Sequence, residues 1–106
     1  MGSPGMAAYV INDMEITDPV VFEQYRHMSP ATVAQYGGRF IVRGGAIEPL
    51  EGNWSPRRLV ILEFASATQA RAWIDSPEYA PARRLRQASA RSSIVLVEGV
   101  AAPAAS

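Results

Sequence analysis

Hydrophobic and polar residues alternate along this chain in blocks that predict strands and helices in turn. The block at residues 8–16 begins with a β-branched and aromatic run and predicts the first strand. Asp18 and Pro19 then supply the hydrogen-bond acceptor and the fixed φ angle that are typical of a helix start. Apolar residues recur at helical spacing as far as Tyr36, and the glycine pair that follows is expected to end the helix.

Two further strands are predicted at residues 39–46 and 57–64. The loop between them is longer than a hairpin requires, and loops of this length often carry function. Ser66 and Gln69 then form a capping-box pattern, which predicts a second helix that ends near Asp75.

Prolines divide the helical regions. Pro30 lies within the first helix, where it is expected to cause a kink or a restart because proline removes a backbone donor. Pro77 and Pro81 break the path after the second helix. A turn and a last helical stretch to Ala88 are therefore expected, followed by the final strand at residues 93–100.

The order strand, helix, strand, strand, helix, strand is typical of the ferredoxin-like βαββαβ fold, an α+β architecture. It predicts a four-stranded antiparallel sheet with its helices on one face. Residues 6–100 are predicted to form this single domain. Residues 1–5 have the composition of a cloning remnant, and residues 101–106 are expected to be a disordered tail.

The sheet face without helices is expected to mix apolar and charged side chains. Strict alternation assigns the following residues to it: Arg39, Ile41, Arg43, Leu59, Ile61, Glu63, Ile94, Leu96 and Glu98. A partly apolar sheet face is seldom left in water. The pattern therefore predicts that two copies of the chain pair through this face as a homodimer.

The amino-acid composition excludes several kinds of partner and catalytic group. The chain has ten basic and ten acidic residues, every basic residue is arginine, and there is no cysteine. The balanced charge argues against a nucleic-acid partner, and the absence of lysine and cysteine excludes amine and thiolate nucleophiles. No apolar run is long enough for a membrane span, and no metal-ligand or cofactor motif is present. We expect no membrane partner, no metal and no cofactor, with the cytoplasm as the default location.

Arg39 and Arg43 are the first candidates for ligand binding. They lie four positions apart and are expected on one strand face, where two guanidinium groups can bind a carboxylate or an enolate oxygen. The alternative is that both arginines only form salt bridges with Glu63 and Glu98.

Two residues of the long loop and two tyrosines are further candidates for ligand binding. Glu51 and Trp54 can form a lid over a ligand, or Trp54 can fill the edge of a dimer. Tyr9 and Tyr25 can donate phenolic hydrogen bonds to a substrate, or merely satisfy local acceptors. His27, the single histidine, is expected to point towards solvent.

Several short motifs in order carry a resemblance to a known group of proteins. They are Tyr-Gly-Gly-Arg at 36–39, Val-Arg-Gly-Gly at 42–45, Leu-Glu-Gly-Asn-Trp at 50–54, Glu-Phe at 63–64, Ala-Trp at 72–73 and Ser-Pro-Glu-Tyr at 76–79. From residue 6 to residue 100 the chain resembles the small bacterial proteins of a domain-of-unknown-function family in the dimeric α/β barrel superfamily. Relatives in that superfamily include antibiotic-biosynthesis monooxygenases, muconolactone isomerases and haem-binding chlorite dismutases. The resemblance implies sheet-mediated pairing and a pocket, but no single reaction.

Two functions therefore remain as hypotheses. In the first, a homodimer binds a small, anionic organic metabolite and acts as a cofactor-independent monooxygenase or isomerase. Its catalytic residues are Arg43, Glu63 and Tyr25, and Trp54 excludes water. The ligand-binding residues are Arg39, Arg43, Trp54, Tyr9 and Glu51. In the second, the protein is a non-catalytic dimeric binding module.

Overall fold

A computed structural model describes residues 6–100; the predicted remnant at 1–5 and tail at 101–106 lie outside the described residues. The elements are β1 (Ala8–Ile16), α1 (Pro19–Gln35), β2 (Arg39–Arg43), β3 (Arg58–Phe64), α2 (Ala67–Ile74), α3 (Ala80–Ser89) and β4 (Ala90–Glu98). The strands form one antiparallel sheet in the order β2-β3-β1-β4. This order, with helices packed on one face, confirms the predicted ferredoxin-like α+β fold.

The two ends of α1 follow the chemistry expected from the sequence. The Asp18 side chain accepts a hydrogen bond of 3.2 Å from the backbone N–H of Val21. At the other end Gly37 adopts a φ of +76°, and the N–H of Gly38 donates to the carbonyl of Val33 over 2.9 Å. Glycine is favoured at the left-handed position that this helix termination requires.

The interior proline of α1 is accommodated without a restart, so that part of the prediction is wrong. The helix continues through Pro30. Proline cannot donate to the carbonyl four residues earlier, which belongs to Arg26. A side chain from β2 replaces the lost donor, because Nη2 of Arg43 donates to that carbonyl over 3.0 Å.

The second half of the chain begins with the predicted helix cap, but the boundary between its last helix and last strand differs from the prediction. The Ser66 side chain accepts a 3.1 Å hydrogen bond from the N–H of Gln69, which confirms the predicted helix cap. β4 begins at Ala90, three residues earlier than predicted, and α3 leads directly into it. Among residues 6–100, no helix is both long enough and apolar enough to cross a bilayer.

A single core lies between the sheet and the helices. Trp73 of α2 is its centre, with ring centroids 5.6 Å from Phe64 and 4.2 Å from Tyr79. The other large buried core residues are Val10, Met14, Phe22, Tyr25, Val33, Val60 and Leu62. Each fully buried large apolar side chain contributes about 1.5–3 kcal/mol relative to its exposed state.

A β-bulge changes the alternation of β2. Phe40 pairs with Leu62, and the next pair in the register is Val42 with Ile61, so Ile41 is an extra residue. Because side chains alternate with a period of two, one extra residue moves every following side chain to the opposite face.

The bulge separates the two arginines that the sequence placed together. Arg39 pairs with Glu63 on the face without helices, whereas Arg43 pairs with Val60 and points towards the helices. The prediction that Arg39 and Arg43 share one strand face is therefore wrong.

The faces of β4 are also the reverse of those predicted. Ile94 and Leu96 pack against the core and so face the helices, and Glu98 has the same parity. Val95 and Val97 lie on the opposite face and are 56% and 46% exposed. Both parities of β4 carry branched apolar residues, so only its pairing with β1 fixes which of them is buried.

Candidate functional site

The three residues predicted to be catalytic lie on two sides of the sheet. Tyr25 and Arg43 line the same cavity on the helix side. Glu63 projects from the other side, which we call the open face, where it pairs with Arg39 and Tyr9. The structure therefore brings Tyr25 and Arg43 together but not Glu63.

Arg39, Glu63 and Tyr9 form a hydrogen-bonded cluster on the open face. Nε of Arg39 lies 2.7 Å from Oε1 of Glu63, and the Tyr9 hydroxyl donates to Oε2 over 3.1 Å. Hydrogen bonds from Arg39 and then Tyr9 lower the pKa of Glu63, and the contact with the Glu63 carboxylate raises the pKa of Tyr9. The geometry matches the salt-bridge alternative for Arg39.

The long loop between β2 and β3 places Trp54 beside the open face. Nε1 of Trp54 donates a 2.8 Å hydrogen bond to Oδ2 of Asp13, while the ring remains 61% exposed. Glu51 is exposed in the same loop. Trp54 and the helix-side cavity are thus on different sides of the sheet. His27 is exposed on α1, as predicted.

An apolar row crosses the centre of the open face. Val42, Ile61, Ile11 and Val95 are consecutive cross-strand partners on β2, β3, β1 and β4. No described helix covers them. This row is a continuous apolar surface on the open face.

A largely enclosed cavity, the inner cavity, lies between the sheet and the helices. Its walls are aromatic and apolar except at Asn12, Tyr25, Ser29 and Tyr79. Its volume is about 20 Å³, which is enough for water but not for an organic molecule. Among the described residues, neither a carboxylate nor a histidine lines it.

Asn12 is the unusual polar residue of this cavity. It lies on the helix side of β1 and is 7% exposed, and its Oδ1 atom is buried without a hydrogen-bond partner. A buried polar atom left unpaired costs about 1–3 kcal/mol. A trapped water or a ligand would satisfy such a group.

Two tyrosines and an arginine form a buried polar chain beside it. The hydroxyl oxygens of Tyr25 and Tyr79 are 2.9 Å apart, and Nε of Arg86 donates to the Tyr79 hydroxyl over 3.2 Å. Arg86 is buried and forms no ion pair within residues 6–100. Burial, followed by the effect of Tyr79, raises the pKa of Tyr25 far above its ordinary value. Tyr25 therefore stays protonated and can donate a hydrogen bond.

The inner cavity adjoins two other spaces. It shares Val10 and Ile94 with a cleft of about 220 Å³ between α2 and β4, which we call the α2–β4 cleft. It also shares Tyr25, Ser29, Phe40 and Val60 with a second small space. The guanidinium-bearing residues there are Arg26, Arg43 and Arg58, and we call this space the arginine cavity.

Three site residues were not predicted: Asn12, Tyr79 and Arg86. Two of them had a detectable pattern. Asn12 takes the parity of Val10 in a strand whose buried face is otherwise apolar, and Arg86 lies four residues after Ala82 on the buried face of α3. Tyr79 lies in the Ser-Pro-Glu-Tyr motif, but no periodicity marks it as buried.

Potential metal ligands are scattered in the described part of the chain. Within residues 6–100, no three histidine or acidic side chains come together as a metal-binding group.

The elements and the order of the strands define an α+β protein with the ferredoxin-like fold. Residues 7–100 match the family model described as Domain of unknown function (DUF1330). The chain therefore belongs to the DUF1330 family, which confirms the resemblance in its motifs.

Several solved structures have a similar fold. A protein of unknown function from Rhodopseudomonas palustris is 18% identical, covers 94% of this chain and 86% of its own, and superposes with a TM-score of 0.74. SnoaB, a cofactor-independent oxygenase from Streptomyces nogalater, is 14% identical, with coverage of 95% and 99% and a TM-score of 0.61. No curated protein matches the chain. At these identities the similarity establishes the fold alone.

Proposed function

We propose that two copies of this chain pair through their open faces into a homodimeric α/β barrel. The apolar row from Val42 to Val95 supports this pairing, since a continuous apolar sheet face favours burial against a partner. The exposed ring of Trp54 lies beside this face and would be covered in the dimer.

We further propose that each protomer binds a small organic molecule in its inner cavity. The observation that carries this proposal is the buried Oδ1 atom of Asn12, which has no partner in a cavity lined by aromatic side chains. A ligand hydroxyl can donate to that oxygen. A neighbouring ligand oxygen can accept from Tyr25, which remains protonated. The cavity has to widen to admit such a ligand, and the α2–β4 cleft, which shares Val10 and Ile94 with it, is the larger of the two adjoining spaces.

The polar chain is suited to stabilising an oxyanion on the ligand. Tyr25 can donate to the ligand while its oxygen accepts from Tyr79, and the buried charge of Arg86 polarises the Tyr79 hydroxyl. Donors fixed in a water-excluded site stabilise a developing negative charge strongly. An enol or phenol that has lost its proton to solvent water before it enters would be held as its anion.

The same residues favour oxygenation over isomerisation. An isomerase must move a proton between two carbon atoms, and the described cavity offers no carboxylate or histidine for this task. An ionised substrate can instead react with dioxygen. When a CH₂ group becomes a carbonyl, one oxygen atom enters the product and the other leaves as water. Four electrons pass from the substrate to dioxygen, so no further reductant is needed.

Native mass spectrometry of gently purified protein tests this function. We expect the wild-type protomer to retain a small molecule and the Asn12→Leu variant to be bare, because leucine has a similar volume but no polar group. The retained compound is then returned to ligand-free protein while oxygen uptake is measured. Equal retention by both proteins would contradict the role of Asn12, and retention without oxygen uptake would contradict turnover.

A second candidate function is a non-catalytic dimeric binding module. The small volume of the inner cavity, about 20 Å³, favours it, because one trapped water would satisfy Asn12. In that case the wild-type and Asn12→Leu proteins would both be dimers without a bound compound.

A further inference from the structure

The arginine cavity concentrates positive charge from three separate elements. Arg26 lies on α1, Arg43 on β2 and Arg58 on β3, and all three line the same small space. Burial and then the charges of Arg26 and Arg43 lower the pKa of Arg58. Like charges this close oppose each other, so an anion between them would be stabilised.

The protein supplies little negative charge to this cluster. Arg26 is 3.4 Å from Glu23, but neither Arg43 nor Arg58 forms an ion pair within residues 6–100. Nε of Arg58 is buried and has no hydrogen-bond partner. A guanidinium donor that is removed from water and unpaired is costly, and it is the group that an anion would satisfy.

The surroundings of the two guanidinium groups are aromatic. The Arg43 group lies 4.5 Å from the centre of the Phe40 ring, and the Arg58 group lies 5.5 Å from that of Phe22. Met14 also lines the space. An anion bound here would therefore carry an apolar body, since a fully hydrated ion gains nothing from such walls.

A glycine provides the room that Arg58 occupies. Gly44 has a φ of +71°, and a Cβ atom at this position would collide with the guanidinium group of Arg58. Arg43 and Gly44 are neighbours in the Val-Arg-Gly-Gly motif. That motif therefore supplies one guanidinium group and makes space for the other.

We propose that Arg43 and Arg58 bind the carboxylate of an organic acid whose apolar body lies against Phe22 and Phe40 and extends towards the inner cavity. The arginine cavity has a volume of about 20 Å³, so it has to widen to admit the acid. The inference rests on the proposed function, because it assigns the acidic group of the same ligand. It replaces Arg39 with Arg58 as the partner of Arg43, since Arg39 lies on the open face.

The test is an NMR titration with benzoate, benzamide and inorganic phosphate at constant ionic strength, following the arginine Nε–Hε signals. Benzoate and benzamide have nearly the same shape but differ in charge. We expect benzoate to bind roughly tenfold or more tightly than benzamide, because charge-assisted hydrogen bonds are lost in the neutral probe. Phosphate is expected to bind more weakly than benzoate, because it lacks an apolar body.

Four variants complete the experiment. Arg43→Gln and Arg58→Gln should each remove the preference for benzoate, whereas Arg58→Lys should restore part of it. Arg57→Gln is the matched control, because Arg57 is the exposed neighbour of Arg58 in the chain. Thermal melting identifies any variant that fails to fold, and the remaining arginine variant then decides the result.

The two proposals fail in different ways. If benzamide binds as tightly as benzoate, or if Arg43→Gln and Arg58→Gln leave benzoate binding unchanged, the carboxylate site is wrong while the inner-cavity ligand stands. If phosphate binds as tightly as benzoate, the organic acid is excluded. If no probe binds, the acid site is wrong, and the retained-ligand measurement on Asn12→Leu decides the proposed function separately.

Discussion

Nη2 of Arg43 lies 3.0 Å from the backbone carbonyl oxygen of Arg26 and donates a hydrogen bond to it. That carbonyl is the acceptor left without a helical partner by Pro30. A residue of the edge strand therefore completes the hydrogen bonding of the longest helix, and β2 and α1 are tied together at the arginine cavity.

A double-mutant cycle measures this link. In the wild-type background, Arg43→Ala should lower the free energy of unfolding by about 0.5–1 kcal/mol, since an exposed guanidinium loses one hydrogen bond. In the Pro30→Ala background the new N–H can bond to Arg26, so the same change at Arg43 should cost less. Urea denaturation of the four proteins gives the coupling energy. Equal costs in both backgrounds would contradict the link.

Asn12 is predicted to reduce stability in the empty protein. Replacing it by leucine removes the unpaired buried oxygen and should raise the free energy of unfolding by about 1 kcal/mol. Thr32→Val is the contrasting control. Thr32 is equally buried but accepts from Trp73 over 3.1 Å and donates to the Ser29 carbonyl over 2.7 Å. Valine should therefore destabilise at that position. Denaturation curves that show both variants destabilised would contradict the role given to Asn12.

The open face is predicted to form the subunit interface. Light scattering during size-exclusion chromatography should give twice the 11.5 kDa mass of one chain. Val95→Arg places a charge in the apolar row and should give monomers. Val20→Arg is the matched control, because Val20 is exposed on α1 at the other side of the molecule. A monomeric wild type, or a Val95→Arg protein that remains dimeric, would rule out this interface.

The Arg39–Glu63–Tyr9 cluster predicts a loss of stability in acid. The folded-state pKa of Glu63 lies below its ordinary value of 4.5. Its contribution is therefore complete above the unfolded-state pKa and is lost as the pH falls through the lower folded-state value. Glu63→Gln should differ most from wild type near neutrality and converge with it in strong acid. Thermal melting from pH 7 to pH 3 measures this, with Glu48→Gln in the exposed loop as control.

The stability that Tyr9 contributes should be lost in alkali rather than in acid. The folded-state pKa of Tyr9 lies above its ordinary value of 10.0. Its hydrogen bond to Glu63 is therefore fully present below pH 10 and is lost as the pH rises through the higher folded-state value. Wild type and Tyr9→Phe should differ at neutral pH and converge in strong alkali. Melting curves that stay equally separated throughout would contradict this.

The sequence predicted the fold because its start and stop residues are local. Asp18, the glycines after α1 and the Ser66 cap each act within a few residues of their own position. Hydrophobic periodicity then supplied the order of the elements, from which the ferredoxin-like topology follows.

The site could not be predicted in the same way. The face of the sheet on which a side chain lies depends on the pairing between strands. Nothing in the segment from Arg39 to Arg43 marks Ile41 as an extra residue, and only the pairing with β3 reveals it. Arg86 is buried because α3 packs with this arginine turned inward, where it donates to the Tyr79 hydroxyl. Only Tyr25 among the predicted residues lines the inner cavity.

The bulge at Ile41 also indicates how such proteins can diverge. β2 is an edge strand, where sheets tolerate a change in length. If β2 paired with β3 without the bulge at its present length, Ile41 would lie opposite Ile61, and the Arg43 charge would move from the arginine cavity to the open face. Under the proposed function, ligand preference and subunit recognition are therefore linked through the register of one strand, and a shift in that register exchanges one property for the other without altering a single charged residue.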